Sequence, residues 1–124
     1  MIETNLDSAS RALLAWANGD VVSIVNVWDI CAMNFGEASS REIAALGLAY
    51  SVRLVSSGLL VPGRSRREGP HFEFDSWDGS LDRWASQMAK AWALVEDYPS
   101  PASYFELDLT DEGKRPRGWE LISD

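Results

Sequence analysis

Apolar residues recur at helical spacing through the first half of the chain and at every second position in two later stretches. Asp7 or Ser8 is placed to cap a first helix with Ala9, Leu13, Trp16 and Ala17 on one face, and Asn18-Gly19 supplies a stop. A second helix is predicted from Val22 to Asn34, with Ile24, Val27, Trp28 and Cys31 as its apolar stripe. Ser39 and Glu42 form a capping box at the head of a third helix, lined by Ile43, Leu46, Gly47, Tyr50 and Leu54 and closed by Ser57-Gly58.

The period then changes. Leu59, Leu60 and Val61 predict a short strand ended by Pro62-Gly63, followed by a basic loop from Arg64 to Pro70. In His71-Phe72-Glu73-Phe74-Asp75 the two Phe are expected to point inward and the two acids outward. Asp78-Gly79-Ser80 turns into a long amphipathic helix with Leu81, Trp84, Ala85, Met88, Trp92 and Val95 on its stripe. Tyr98-Pro99-Ser100-Pro101 ends it. Tyr104 to Leu109 alternates again, with Phe105, Leu107 and Leu109 inward and Glu106 and Asp108 outward, before the turn Thr110 to Gly113. This order predicts an α+β fold: a helical domain with one small antiparallel sheet.

Length and charge narrow the function. A chain of 124 residues is expected to form one domain, residues 1–124. The single Cys31 has no partner for an internal disulfide, and Met1 to Leu6 carries Glu3 and no basic residue. Both features point to a cytoplasmic protein. The charge-free stretch between Glu42 and Arg53 is far shorter than the ~20 residues of a membrane helix, so no membrane is expected as a partner. The formal charge is -8. Residues 71–112 hold ten acids and two bases, whereas residues 63–70 are net basic through Arg64, Arg66 and Arg67. An acidic block of this size repels phosphate and attracts a basic protein.

Candidate chemistry is sparse. His71 is the only histidine, at the head of an alternating strand with no partner signal nearby. Cys31 falls on an apolar stripe, where a buried and inert thiol is expected. One His and one Cys do not make a zinc site, and no calcium-loop pattern occurs. Phosphate loop, dinucleotide fingerprint and nucleophile elbow are also missing. The expectation is no enzyme, no catalytic residue, no metal and no cofactor. If the two alternating strands are neighbours, Glu73, Asp75, Glu106 and Asp108 share one face, whose self-repulsion a basic partner relieves. Trp77 and Trp119 sit in charged, turn-like contexts suited to interface anchors, whereas Trp16, Trp28, Trp84 and Trp92 read as core. Arg53, Arg64, Arg66 and Arg67 form the alternative contact set.

Two resemblances follow. A helix pair running into Gly58-Leu59-Leu60-Val61, with a later strand ending Leu109-Thr110-Asp111-Glu112-Gly113, resembles the bacterial winged-helix pattern. There a recognition helix leads into a Gly-Leu-hydrophobic strand, and the wing returns through a strand ending Leu-Thr-x-x-Gly. The match covers roughly residues 22–62 and 104–113, and departs by inserting a strand and the Leu81–Val95 helix between the wing strands. The resemblance implies a winged-helix-like fold and a DNA-binding transcriptional regulator. The third helix, the implied reading element, offers Arg41 and Arg53 beside Glu42 but no Asn, Gln or Lys for base edges. In size, acidity and lack of catalytic chemistry the chain also resembles immunity proteins of interbacterial toxin systems, which mask a toxin by direct docking. The favoured expectation is therefore a non-enzymatic antitoxin with an acidic face for a basic toxin domain, and the alternative is the regulator.

Overall fold

The computed structural model describes residues 7–99 and 105–114, with Arg67 described by its backbone alone. Within them lie helices α1 (Ser8–Ala17), α2 (Ile24–Asn34), α3 (Ser40–Ser56), α4 (Leu81–Ala93) and α5 (Asp111–Lys114). The strands are β1 (Val22–Ser23), β2 (Leu60–Glu68), β3 (His71–Ser76) and β4 (Glu106–Leu109). They form one antiparallel sheet in the order β1-β4-β2-β3. The α+β expectation holds. Tyr104, Ser100-Pro101 and Trp119 lie outside the described residues.

Helix starts follow from side-chain capping. Asp7 Oδ1 accepts from the Ser10 amide at 2.9 Å and starts α1. Ser39 and Glu42 form the expected box at α3. A second box, Ser23 with Asn26, fixes α2 two residues later than the sequence suggests. Val22 and Ser23 instead remain extended and pair with Leu107 and Glu106.

The core gathers Leu13 and Leu14 from α1, Ile24, Val27 and Cys31 from α2, and Leu54 from α3 against Val22, Leu60, Phe105 and Leu107 of the sheet side. Helix α4 docks on α3 with Met88 and Trp92 inward. A Cβ at Gly47 would stand 2.4 Å from the Trp92 ring, so glycine is what lets the indole lie against α3. Burial among the other tryptophans corrects the sequence expectation. Trp28 is buried, but Trp16 is 48% exposed because the buried arc of α1 centres on Ser10, Leu13, Leu14 and Ala17. Trp84 is half-buried at the margin of α4, where its Nε1 donates to the Asp78 carbonyl at 3.0 Å.

The two segments that carry the winged-helix resemblance meet each other. Leu60 pairs with Leu109. The Thr110 amide donates to the Leu59 carbonyl at 3.0 Å, and Thr110 Oγ1 both donates to the Gly58 carbonyl and accepts from the Gly113 amide. A Cβ at Gly113 would lie 2.3 Å from the Leu59 oxygen. The spacing Leu-Thr-x-x-Gly thus closes the sheet: Leu109 fills the core, Thr110 caps α5, and Gly113 admits the neighbouring backbone.

Strand β2 departs most from expectation. It does not end at Pro62-Gly63 but continues to Glu68, so the expected basic loop is half of a long hairpin turned by Gly69-Pro70. Residues 60–63 pair with β4 and residues 63–68 with β3, and Gly63 belongs to both registers. Its Cβ would meet the Asp75 carbonyl at 2.2 Å.

Trp92→Ala should cost about 3–5 kcal/mol by emptying a buried ring site, and Trp84→Ala clearly less. Denaturant unfolding of both variants checks the order, and equal losses would contradict the packing.

Candidate protein interface

The β2–β3 hairpin beyond Gly63 is a ribbon with two unlike faces. Cross-strand partners share a face, so Arg64, Arg66 and Glu68 lie with His71, Glu73 and Asp75, while Ser65 lies with Phe72 and Phe74. The register continues into β4, where Gly63 opposes Glu106 and Val61 opposes Asp108. Glu106 and Asp108 therefore belong to the face of Phe72 and Phe74, not to that of Glu73 and Asp75. The expected single face of four carboxylates does not form, because β2 stands between β3 and β4. Nor do the two Phe point into the core. Phe72 is 44% exposed and Phe74 half-buried.

Each carboxylate has its own task. Glu106 Oε1 accepts from the Ser65 amide at 2.5 Å and from Ser65 Oγ at 2.7 Å, which stitches β4 to β2 just past the pivot. Asp108 Oδ1 accepts from the Leu109 amide at 2.9 Å. It lines an open depression of about 390 Å³ with the Ala17–Val21 turn, Phe72 and Lys114. Trp77 is no free anchor. Its ring centroid stands 5.7 Å from that of Phe105, and its amide donates to the Pro62 carbonyl at 2.9 Å, so it fixes the root of β3.

The exposed face of the ribbon centres on Arg66. Its guanidinium donates to Asp75 Oδ2 at 2.9 Å from Nε, to Glu68 Oε2 at 3.1 Å and to Glu73 Oε1 at 2.5 Å. The hydrogen bond from Arg66 holds the Asp75 carboxyl below the ordinary 3.8, and these acids in turn raise the guanidinium. Three carboxylates thus surround one cation in water. Such pairs order side chains more than they stabilise the fold. Arg64, opposite Asp75, is exposed. A small hollow of about 180 Å³ lies between Arg66, Glu68, His71 and Glu73.

Arg53 is also engaged. Its NH1 lies 3.8 Å from Asp7 Oδ2, the oxygen that accepts from the Tyr50 hydroxyl at 2.5 Å. Partial burial raises the Asp7 carboxyl, but the bonds from Tyr50 and the Ser10 amide, with Arg53 nearby, outweigh it and leave it below its ordinary value. Burial and then Asp7 push Tyr50 well above its own. Burial pushes the Cys31 thiol up to about 11, so it stays protonated at neutral pH. The outward side of α3 carries Arg41, Ala45, Ala49 and Arg53, flanked by Leu46, Leu48 and Val52. Between α3 and α4 runs a groove of about 540 Å³, walled by Ala44, Leu48, Ala89 and Val95 with Arg41 and Glu96 at its rim.

Sequence reasoning found Glu73 and Asp75 but missed their shared cation. The run Arg64-Ser65-Arg66-Arg67-Glu68 has no apolar alternation, so nothing marked it as a strand. Among the described residues, no group of His, Cys, Asp and Glu could hold a metal ion, and no helix is long and apolar enough to cross a membrane. No protein-family model, curated protein or solved structure matches the chain.

A depressed Asp75 pKa means that the Arg66–Asp75 pair is fully charged above the ordinary 3.8 and is lost as pH falls through the lower folded value. Carboxyl NMR should show Asp75 titrating below the ordinary range and returning to it in Arg66→Gln. An unmoved Asp75 would mean that Arg66 does not hold it.

Proposed function

We propose that the protein is a non-enzymatic binding protein that docks a basic partner protein, as an immunity protein docks its toxin domain, and that it works in the cytoplasm. The observation that carries this reading is the Arg66 cluster. The most basic run of the chain ends in a ribbon face where Glu68, Glu73 and Asp75 outnumber the guanidinium they share. A wing meant for phosphate presents its arginines outward; here the central one is occupied. Outward carboxylates on a projecting hairpin, in a chain of formal charge -8, steer a cationic surface toward it.

The second reading, a winged-helix transcriptional regulator, draws support from the contact between the Gly58–Val61 and Leu109–Gly113 segments. Its weakness is electrostatic. Arg53 of α3 faces Asp7, and the rest of the outward surface of that helix is mostly alanine and aliphatic. Base-edge recognition needs Arg, Lys, Asn or Gln free to reach the groove.

The test leaves Glu106 in place, because its reversal would also break the bonds to Ser65. The variant Glu73→Lys/Asp75→Lys isolates the exposed face. With the cognate partner purified, this double reversal should slow association at least about tenfold and flatten its salt dependence, since complementary charge acts chiefly on the on-rate. Unchanged association would remove the ribbon from the interface. Salt-resistant nanomolar binding to a defined DNA duplex would promote the regulator instead.

A further inference from the structure

We infer that β3 receives an extended strand of the partner at its outer edge, and that this strand alternates basic and apolar residues. The inference rests on the reading of a basic protein partner and adds the mode and sequence pattern of recognition.

The backbone register supplies the edge. The turn Gly69-Pro70 is two residues long, so Glu68 and His71 form a pair that exchanges hydrogen bonds. The same holds at every second pair, Arg66 with Glu73 and Arg64 with Asp75. The Trp77 amide bond to the Pro62 carbonyl belongs to this series. Phe74 and Ser76 fall between, so their N–H and C=O groups point away from β2. Among the described residues, β3 has a strand on one side only. From Phe74 to Ser76 this edge offers the donors and acceptors that template strand addition.

Side chains say what fits. An added strand places its residues alternately beside the two faces of β3. On one face it meets Glu73 and Asp75, on the other Phe74. Arg66 already approaches both acids from the β2 side. Glu68, Glu73 and Asp75 share this face with two guanidinium groups, Arg66 and Arg64, which leaves one negative charge for a Lys or Arg of the added strand beside Glu73 and Asp75. Beside Phe74 a β-branched or aromatic residue covers an otherwise half-exposed ring. The edge is also preformed. Trp77 against Phe105 and the close approach at Gly63 hold the root of the ribbon to the core, which lowers the ordering cost of binding.

The test uses the full chain and a synthetic acetylated peptide of alternating Lys and Val. Its controls are the same peptide N-methylated at alternate positions, which keeps the charge but removes the donors, and a Glu-Val peptide. NMR titration should show shifts and slowed amide exchange at Phe74 and Ser76 for the Lys-Val peptide. Affinity should fall at least tenfold on N-methylation and again in Glu73→Lys/Asp75→Lys, with no binding of the Glu-Val peptide. Circular dichroism of the double variant checks that the fold survives. If the double reversal weakens the peptide but N-methylation does not, strand addition is overturned while the basic-partner reading stands. If the purified cognate partner ignores the double reversal, that reading itself fails. Shifts confined to the α3–α4 groove, or a self-association of the chain that the double reversal dissolves, would also overturn the proposal.

Discussion

Everything in the sheet depends on how closely two backbones approach at Gly63. This residue is the point where β2 exchanges one neighbour for another, and a single methyl group there would strike the Asp75 carbonyl. Because the strand passes through without a break, the packed sheet under the helices and the exposed ribbon become one mechanical element. Pro62 just before it fits for a related reason. Its carbonyl accepts from the Trp77 amide, so its missing N–H falls on the side where the β3 pairing has just ended. The Pro-Gly pair that reads as a terminator in sequence is here a joint.

Charge on the ribbon is organised locally rather than as a broad acidic sheet. Net charge over a segment says nothing about which acids share a face, and the register divides them. Glu106 serves the backbone of Ser65, Asp108 serves that of Leu109, and Glu73 and Asp75 converge on Arg66. The exposed face of the ribbon is thus a small, patterned surface with Arg66 embedded among acids and Arg64 beside it. Such a surface favours specificity through register over affinity through bulk attraction.

Helical periodicity and capping chemistry were legible in the residues. Ser39 with Glu42, the stripe of Ile43, Gly47, Tyr50 and Leu54, and the alternation of Phe105, Leu107 and Leu109 all stand as the pattern implies. Register was not legible, because it depends on which strand lies between which. The shared face of four carboxylates failed for that reason. Strand β2 past Gly63 was invisible because a ribbon exposed on both faces needs no apolar alternation. Trp16 lies off the buried arc of α1, and Trp84 lies at the margin of that of α4; where the arc centres is set by the packed neighbours, which a stripe on one helix does not encode.

Strand β4 sits between β1 and β2, yet it is made long after both. During synthesis α1, α2 and α3 can assemble while the inner faces of Val22 and Leu60 still lack their middle strand. The hairpin can form early, from neighbouring residues, but the sheet closes only when Leu107 and Leu109 leave the ribosome. A nascent or C-terminally nicked chain therefore carries two unjoined β edges over an apolar floor. Such a species is sticky by construction, and β4 acts as the keystone that ends its exposure to aggregation and to cellular quality control.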